Sequence, residues 1–279
     1  VSATLGDNKT VCTKFNNPEK NLSNHYEGKV LGEIWGYRVD GLFASDEEAA
    51  EYTSKINQDA VNERILTDKV DPYYRAGDLK FRDLDGDNVI SKGDDTAYDA
   101  GDREIIGNET PRYMYSFRLG ADWNGFDLGI FFQGVGKRDW YPNYLSTGFW
   151  GPYSRAFTSF IPENFMDQCW SEENRDGYFP RFRGYQTFAG SQLGVNNDRY
   201  LQDASYIRLK NLTVGYTLPV LKKVFTKLRV YFTGENLWYW SPMLKHTKYI
   251  DPEAAGGNGN TGMAYNYSRN FSVGVDITF

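Results

Sequence analysis

An oxygen-rich loop holds the residues of this chain that are best suited to chemistry. Over twelve residues that begin at Asp83, oxygen-bearing side chains occupy positions 1, 3, 5, 9 and 12. The residue at position 7 would contribute its backbone carbonyl, so the candidate ligands are Asp83, Asp85, Asp87, Val89, Ser91 and Asp94. Ca²⁺ takes about six to eight oxygen ligands, and this spacing wraps a loop around such an ion. The pattern predicts a structural calcium site.

Two positions depart from the usual calcium loop. Position 6 is Asn88 rather than glycine, although asparagine tolerates the left-handed conformation that this position needs. Position 12 is Asp94 rather than glutamate, and its shorter side chain reaches less far. A Mg²⁺ site, an empty site and a solvated acidic turn are therefore alternatives.

Alternating apolar and polar residues predict the strands that position this loop. Residues 271–279 place an apolar side chain at every second position and end on Phe279. Residues 114–123 and 126–133 alternate in the same way, and only Asn124-Gly125, a dipeptide suited to a tight hairpin, separates them. Such a period of two indicates strands with one apolar and one polar face.

A change of parity predicts a bulge in the strand at 204–218. Ile207 and Leu209 have the opposite parity to Leu212, so a regular strand would put them on different faces. One extra residue near Lys210-Asn211 would return all three to a common face.

Composition and strand length favour a sheet that spans a membrane. Aromatic residues make up 16% of the chain and glycine contributes 28 residues, which is typical of strands with aromatic girdles. Each alternating run has about the ten residues that a tilted transmembrane strand needs. The predicted fold is therefore all-β, a transmembrane antiparallel β-barrel. The terminal aromatic residue, Phe279, resembles the signal that the barrel-assembly machinery reads.

Long and short connections alternate along the chain, as they do in such barrels. Three long connections are predicted to be extracellular loops, at 66–111, 137–202 and 240–268. The short connections at 124–125 and 219–226 then fall on the periplasmic side. A helical stretch is predicted from Ser45, a good N-cap followed by acidic residues, to about Ile65.

The charge and the reactive residues exclude some functions. The net charge is −6 and no basic stripe occurs, so nucleic acid is not an expected partner. The two histidines stand alone, and Cys12 and Cys169 lie far apart, which leaves their pairing open and gives no catalytic or zinc-binding pattern. We do not expect an enzyme. A soluble, calcium-stabilised β-sandwich that binds carbohydrate shares the acidic loop and the aromatic residues, and it is the alternative.

Six segments in the same order carry a family resemblance. The longest, GDLKFRDLDGDNVI at 77–90, contains most of the acidic loop, and the others are GYRVDGLF at 36–43, IGN at 106–108, FFQGVG at 131–136, YIRLKNLTVGY at 206–216 and TGENL at 233–237. Together they resemble the SusC/RagA family of TonB-linked outer-membrane transporters. The set extends over nearly the whole chain, whereas any one segment alone would be weak.

The resemblance implies a fold and a set of partners. Members have a plug domain and a 22-stranded barrel, and this chain is similar only to the C-terminal part, without the plug and the N-terminal barrel strands. The implied function is import of oligosaccharides, or of peptides, through the outer membrane of a Gram-negative bacterium. The implied partners are a SusD-like surface lipoprotein that acts as a lid, TonB through the missing plug region, the remaining N-terminal part of the transporter and outer-membrane lipid.

Candidate ligand contacts follow from this architecture. The polar strand faces that would line the lumen include Arg118, Asp122, Asp127, Gln133, Arg229 and Asp276. In the long loop at 137–202, four aromatic residues are candidates for stacking on sugar rings: Trp140, Tyr141, Trp150 and Tyr153. The alternative is that these four side chains pack within the loop or lie at the membrane interface.

Overall fold

Strands dominate the computed structural model, which describes residues 1–155, 157, 159, 161–219, 226–255 and 266–279. The strands are β1 (Ser2–Gly6), β2 (Glu33–Tyr37), β3 (Val39–Leu42), β4 (Leu79–Phe81), β5 (Arg103–Asn108), β6 (Arg112–Trp123), β7 (Phe126–Lys137), β8 (Asp139–Trp140), β9 (Cys169–Trp170), β10 (Phe179–Arg181), β11 (Gln202–Asp203), β12 (Tyr206–Leu218), β13 (Lys227–Trp240) and β14 (Asn270–Thr278). The helices are α1 (Asp46–Thr53), α2 (Glu63–Leu66) and α3 (Thr147–Trp150), with 3₁₀ turns at Asp59–Val61, Gly151–Tyr153, Met166–Gln168 and Pro242–Lys245. None of the helices in these ranges is long and apolar enough to cross a membrane.

Six strands form the main sheet in the order β1-β6-β7-β12-β13-β14. Every neighbouring pair is antiparallel. The alternating runs predicted β6, β7, β12, β13 and β14, and all five strands are confirmed. The turn between β6 and β7 is Asn124-Gly125, whose φ angles of 47° and 86° are both positive. This is the predicted hairpin, since asparagine and glycine tolerate that conformation at low cost.

The predicted bulge lies in the middle of β12. Leu209 pairs with Phe132 of β7 and Asn211 pairs with Phe131, so Lys210 is the extra residue. The pairing of β12 with β13 shifts at the same place. The bulge therefore returns the apolar side chains on its two sides to one face of the sheet.

Strand register gives the main sheet two chemically different faces. The polar face carries Ser116, Arg118, Asp127, Gln133, Arg208, Arg229 and Asp276, and the apolar face carries Phe117, Leu128, Ile130, Val214, Val230, Phe271, Val273 and Val275. On the apolar face, Val273 is 77% exposed and Phe271 is 65% exposed. A β-sandwich would bury this face under a second sheet, whereas these side chains are exposed in the part of the chain that the structure describes.

The predicted helix begins where expected but ends early. Ser45 caps α1, because its hydroxyl accepts the backbone N–H of Glu48 at 3.2 Å. The predicted helical stretch to about Ile65 is interrupted, since α1 stops at Thr53 and is followed, after a break, by the 3₁₀ turn Asp59–Val61 and by α2. The reason is that the backbone of Asn57 bonds to the acidic loop: its N–H donates to the carbonyl of Asn88, and its own carbonyl accepts from Ile90.

The long connections fold into compact structure rather than running as irregular loops. Together with the segment that carries β2 and β3, they form four two-stranded sheets, β2–β5, β3–β4, β8–β11 and β9–β10. Fully buried side chains from several of these segments meet in one core, including Phe81, Ile90, Trp150, Phe179 and Tyr200. Residues 220–225 and 256–265 lie outside the described residues, so most of the predicted turn at 219–226 and part of the predicted loop at 240–268 are not described.

Candidate functional site

The acidic loop curls around its first carboxylate. One oxygen of Asp83 accepts the backbone N–H of Gly86 at 2.7 Å, and the other accepts that of Asn88 at 2.9 Å. Asn88 has a φ of 68°. The asparagine therefore takes the left-handed conformation that was predicted for position 6.

The second half of this loop is anchored to the core. Ile90 is fully buried within the core that the long connections share. Its N–H donates to the carbonyl of Asn57 at 2.7 Å, and the N–H of Asn57 donates to Asn88 at 2.8 Å. The loop is therefore held in place at its centre by a short bridge to the segment that follows α1.

A carboxylate that the loop pattern does not contain joins the site. Asp102, the residue directly before β5, is fully buried. It accepts the N–H groups of Leu84 at 2.7 Å and Ser91 at 2.8 Å, and so ties the two ends of the loop together. Burial raises the pKa of Asp102. The twelve-residue spacing gives no signal for it, because Asp102 lies beyond the last position.

Three carboxylates converge on one point. Asp83, Asp85 and Asp102 each place an oxygen within 4.8 Å of the others. Asp87 and Asp94, two of the predicted ligands, are not in this group. Clustered carboxylate oxygens are the donors that a hard divalent cation prefers, so the residues present fit the calcium that the sequence predicts.

Two of the remaining predicted ligands, Asp87 and Ser91, accept hydrogen bonds within the loop. Asp87 accepts the backbone N–H of Val89 at 2.7 Å. The hydroxyl of Ser91 accepts the N–H of Gly93 at 3.1 Å. These contacts stabilise the turns of the acidic loop, and they leave the three converging carboxylates as the centre of the candidate site.

The four aromatic residues proposed for sugar stacking are buried. Trp140, Tyr141, Trp150 and Tyr153 all belong to the core of the long connections. The indole of Trp150 donates to the carbonyl of Asn143 at 2.9 Å, and the hydroxyl of Tyr153 donates to that of Pro180 at 2.5 Å. None of the four side chains is more than 9% exposed, which favours the alternative of packing within the loop, although Trp140 and Tyr141 also line a cavity.

Buried charges connect the polar face of the main sheet to the segment after β13. Arg208 of β12 and Asp251 form an ion pair, and each is 1% exposed. The Nε of Arg208 also lies 3.0 Å from one carboxylate oxygen of Glu253. The ammonium of Lys210 lies 2.8 Å from the other oxygen of the same carboxylate. Burying either charge without the other would destabilise the fold, because an unpaired buried charge loses its hydration. The ion pair therefore holds the segment after β13 against the main sheet.

Three single-residue features complete the description. Phe279 follows β14 and is 85% exposed, and its role in barrel assembly stays a prediction. Cys12 and Cys169 are both free thiols.

The curated relatives that this chain matches are TonB-dependent receptors. No protein-family model matches the chain. It is 30% identical to TonB-dependent receptor P3 of Formosa agariphila over 269 residues, which cover 91% of this chain and 22% of the relative. It is 28% identical to TonB-dependent receptor P26 of the same organism, over 73% of this chain and 20% of the relative. The chain thus spans about a fifth of the length of the curated relatives it matches.

Solved structures agree with this match at the level of the fold. The RagAB peptide transporter superimposes with a TM-score of 0.59 and 20% identity, over 99% of this chain and 26% of that chain. The RagAB peptide importer in the open-open state gives a TM-score of 0.57 with the same coverage. Together with the six ordered segments and the two-faced sheet, these matches support a fragment of a SusC/RagA-type TonB-dependent transporter, a class of outer-membrane proteins of Gram-negative bacteria.

Proposed function

We propose that this chain forms part of the barrel wall and the extracellular loops of a TonB-energised importer. The observation that carries the proposal is the single antiparallel sheet with an exposed apolar face and a polar face rich in ion pairs. Lipid suits the first face, and a water-filled lumen suits the second. In this proposal the apolar face meets the outer-membrane lipid and the polar face lines the transport path.

Further strands complete the barrel in this proposal. β1 and β14 each pair with only one strand among the described residues, which leaves one edge of each strand unpaired. An unpaired edge in a bilayer is costly, because its N–H and C=O groups find no water. The remaining N-terminal part of a 22-stranded barrel would pair with both edges and would carry the plug that TonB engages.

The ligand class and the lid belong to the same proposal. The compact long connections, at 66–111 and 137–202 and in the described part of 240–268, lie on the extracellular side and contact a SusD-like lipoprotein. The imported ligand is an oligosaccharide or a peptide. The neighbouring RagAB structures are described as peptide importers, which supports the peptide class without deciding it.

Calcium has a structural role in this proposal. Asp83, Asp85 and Asp102 would hold the ion, which would neutralise three like charges that lie close together. The bound ion would then stiffen the acidic loop beneath the extracellular surface. The chemistry of import is unaffected by it, because the site lies in the folded connections and not on the polar face of the main sheet.

Uptake by whole cells tests the import function. The gene for the full-length transporter is deleted, and growth is measured on a panel of oligosaccharides and on a peptide mixture as sole carbon sources. We expect loss of growth on one class, restoration by the wild-type gene, and the same loss when TonB is removed. Unchanged growth of the deletion strain on every carbon source would contradict the proposed function.

A further inference from the structure

A cavity on the polar face of the main sheet contains an arginine with no carboxylate partner. The cavity has a volume of about 440 Å³ and is lined by Thr4, Ser116, Gln133, Arg138, Tyr206 and Glu253, among others. Thr4 pairs with Ser116, and Ser116 pairs with Gln133. The floor of the cavity is therefore formed by three neighbouring strands, β1, β6 and β7, at the end of the sheet nearest the long connections.

Arg138 enters this cavity directly after β7. Its guanidinium donates to the carbonyls of Glu109 at 3.3 Å and Pro252 at 3.4 Å, both of which are long hydrogen bonds. Among the described residues no carboxylate forms an ion pair with it, and Glu109 attracts it only at longer range. Burial lowers the pKa of Arg138, because its charge is poorly solvated where it stands.

Two arginines of this face differ from Arg138, whereas Arg118 also forms no ion pair among the described residues and instead lies 5.3 Å from the centre of the Phe131 ring. Arg208 is paired with Asp251 and Glu253, and Arg229 is paired with two aspartates. The carboxylate of Glu253 lines the same cavity, but both of its oxygens already accept from Lys210 at 2.8 Å. One positive charge in the cavity is thus left without a partner on this part of the chain.

Apolar residues such as Met114, Phe131 and Val135 line part of the cavity, and its neutral polar side chains are able to donate hydrogen bonds. Ser116, Gln133 and Tyr206 present hydroxyl and amide groups whose side chains bond to no other described residue. The hydroxyl of Tyr115 already donates to the carbonyl of Tyr206 at 3.2 Å. A single guanidinium fork beside neutral donors matches a singly charged, planar anion, which it binds through two parallel hydrogen bonds.

We propose that Arg138 is the centre of a carboxylate-binding subsite on the transport path. The ligand group is either the C-terminal carboxylate of a peptide or the carboxylate of an acidic sugar, and both offer the same planar anion. Ser116, Gln133 and Tyr206 complete the subsite by donating to the carboxylate or to the group beside it. This inference deepens the proposed import function and rests on it for the nature of the ligand.

Calorimetry on the detergent-solubilised full-length transporter tests the subsite. The probes are tetraglycine and its C-terminal amide, and trigalacturonate and its methyl ester. We expect one free acid to bind and its neutral counterpart to bind at least about tenfold more weakly, since a charged hydrogen bond is worth that much. Arg138→Gln should weaken binding of the free acid about tenfold or more and leave binding of the neutral form unchanged. Which acid binds distinguishes the peptide from the sugar.

A control variant tests whether the effect is specific to Arg138, and a binding measurement separates the subsite from the import function. Lys137→Gln removes an equal charge from the adjacent, exposed position and should leave affinity unchanged. Failure of both free acids to bind, equal affinity of acid and neutral forms, or equal affinity of wild type and Arg138→Gln would overturn the subsite. Calorimetry does not require TonB, so a transporter that binds the acid without importing it contradicts the proposed function alone.

Discussion

Arg229 of β13 and Asp127 of β7 form an ion pair across a strand that separates them. Their side chains make two hydrogen bonds, at 2.8 Å from Nε and 2.7 Å from Nη2 of the arginine. Between them lies Gly215 of β12, where a Cβ atom would stand 2.4 Å from the aspartate oxygen and 2.6 Å from the arginine Nε. Arg229 also reaches Asp276 of β14 at 3.0 Å. Ion pairs thus join three strands, β7, β13 and β14, across β12 on the polar face, and the absence of a side chain at Gly215 makes this possible.

We expect Gly215→Ala to destabilise the transporter. A methyl group would displace the ion pair or push apart the strands that carry it, and such overpacking costs about 1–3 kcal/mol. The measurement is the midpoint of thermal unfolding of the full-length protein in detergent, followed as loss of heat-modifiable migration on gels.

Gly129→Ala is the matched control for this substitution. Gly129 lies on the neighbouring strand β7, and a Cβ there would find its nearest atom at 4.0 Å. Its midpoint should stay near that of wild type. Equal midpoints for the two variants would show that the ion pair does not depend on the space at Gly215.

The sequence predicts the features that depend on neighbouring residues. Alternation predicts the five strands of the main sheet after β1, Asn124-Gly125 predicts the hairpin, and a parity change predicts the bulge at Lys210. Contacts between distant segments are different. Arg229 and Asp127 are 102 residues apart, and their meeting depends on the register of three strands.

The candidate site shows the same division. The acidic loop is visible as a pattern because its ligands are local, whereas Asp102 joins it through the fold of a later turn. The sequence leaves two interpretations of the aromatic residues at 140–153, because their faces suit sugar rings but also suit packing within the loop or at the membrane interface. They are buried because the long connections pack on one another and form a core of their own, which no single segment of sequence reveals.

Removal of the converging carboxylates should abolish a calcium effect on stability. We expect the unfolding midpoint of wild type to fall when calcium is chelated, since a ligand at about one hundred times its Kd stabilises the folded state by about 2.7 kcal/mol. The double variant Asp83→Asn, Asp85→Asn should have the same midpoint with calcium and with chelator.

The variant Asp87→Asn separates the observed cluster from the twelve-residue pattern. Asp87 is outside the group of three carboxylates, so this variant should keep most of the calcium effect. Loss of the effect in Asp87→Asn would instead favour the ligand set predicted from the sequence. A wild-type midpoint that is indifferent to chelation would rule out a stabilising calcium at this loop.

Trp150 should act through stability and not through ligand contact. It is fully buried and packs against Phe149, Phe179 and Tyr200. Trp150→Ala should lower the free energy of unfolding by about 3–5 kcal/mol, because it leaves a large cavity. Two quantities are measured for each protein, the midpoint of thermal unfolding and the affinity for the ligand.

Phe157→Ala is the control, because it truncates an exposed ring in the same connection. It should change the free energy of unfolding by less than about 0.5 kcal/mol. A Trp150→Ala protein with normal stability and weakened affinity would restore the sugar-stacking interpretation.

His246 should make the folded connections less stable in acid. Its ring stacks on Tyr178 with 3.6 Å between centroids. Burial, with the nearby charges of Lys245 and Arg199, lowers the pKa of His246 from 6.5 to about 4. The unfolded chain therefore binds a proton more tightly than the folded chain between these two pH values. The stability from the neutral ring is complete above pH 6.5 and is lost as the pH falls from 6.5 towards 4.

His246→Phe isolates this contribution, since phenylalanine keeps a flat ring for stacking on Tyr178 but has no proton to bind. We expect the unfolding midpoint of wild type to fall by a few degrees more than that of His246→Phe between neutral pH and pH 5, because a loss of about 1 kcal/mol shifts the midpoint by roughly that much. The difference between the two proteins cancels the titration of every other group that the variant leaves in place. Parallel midpoints across this range would mean that His246 is protonated without cost in the folded chain, and that its stacking on Tyr178 does not require the neutral ring.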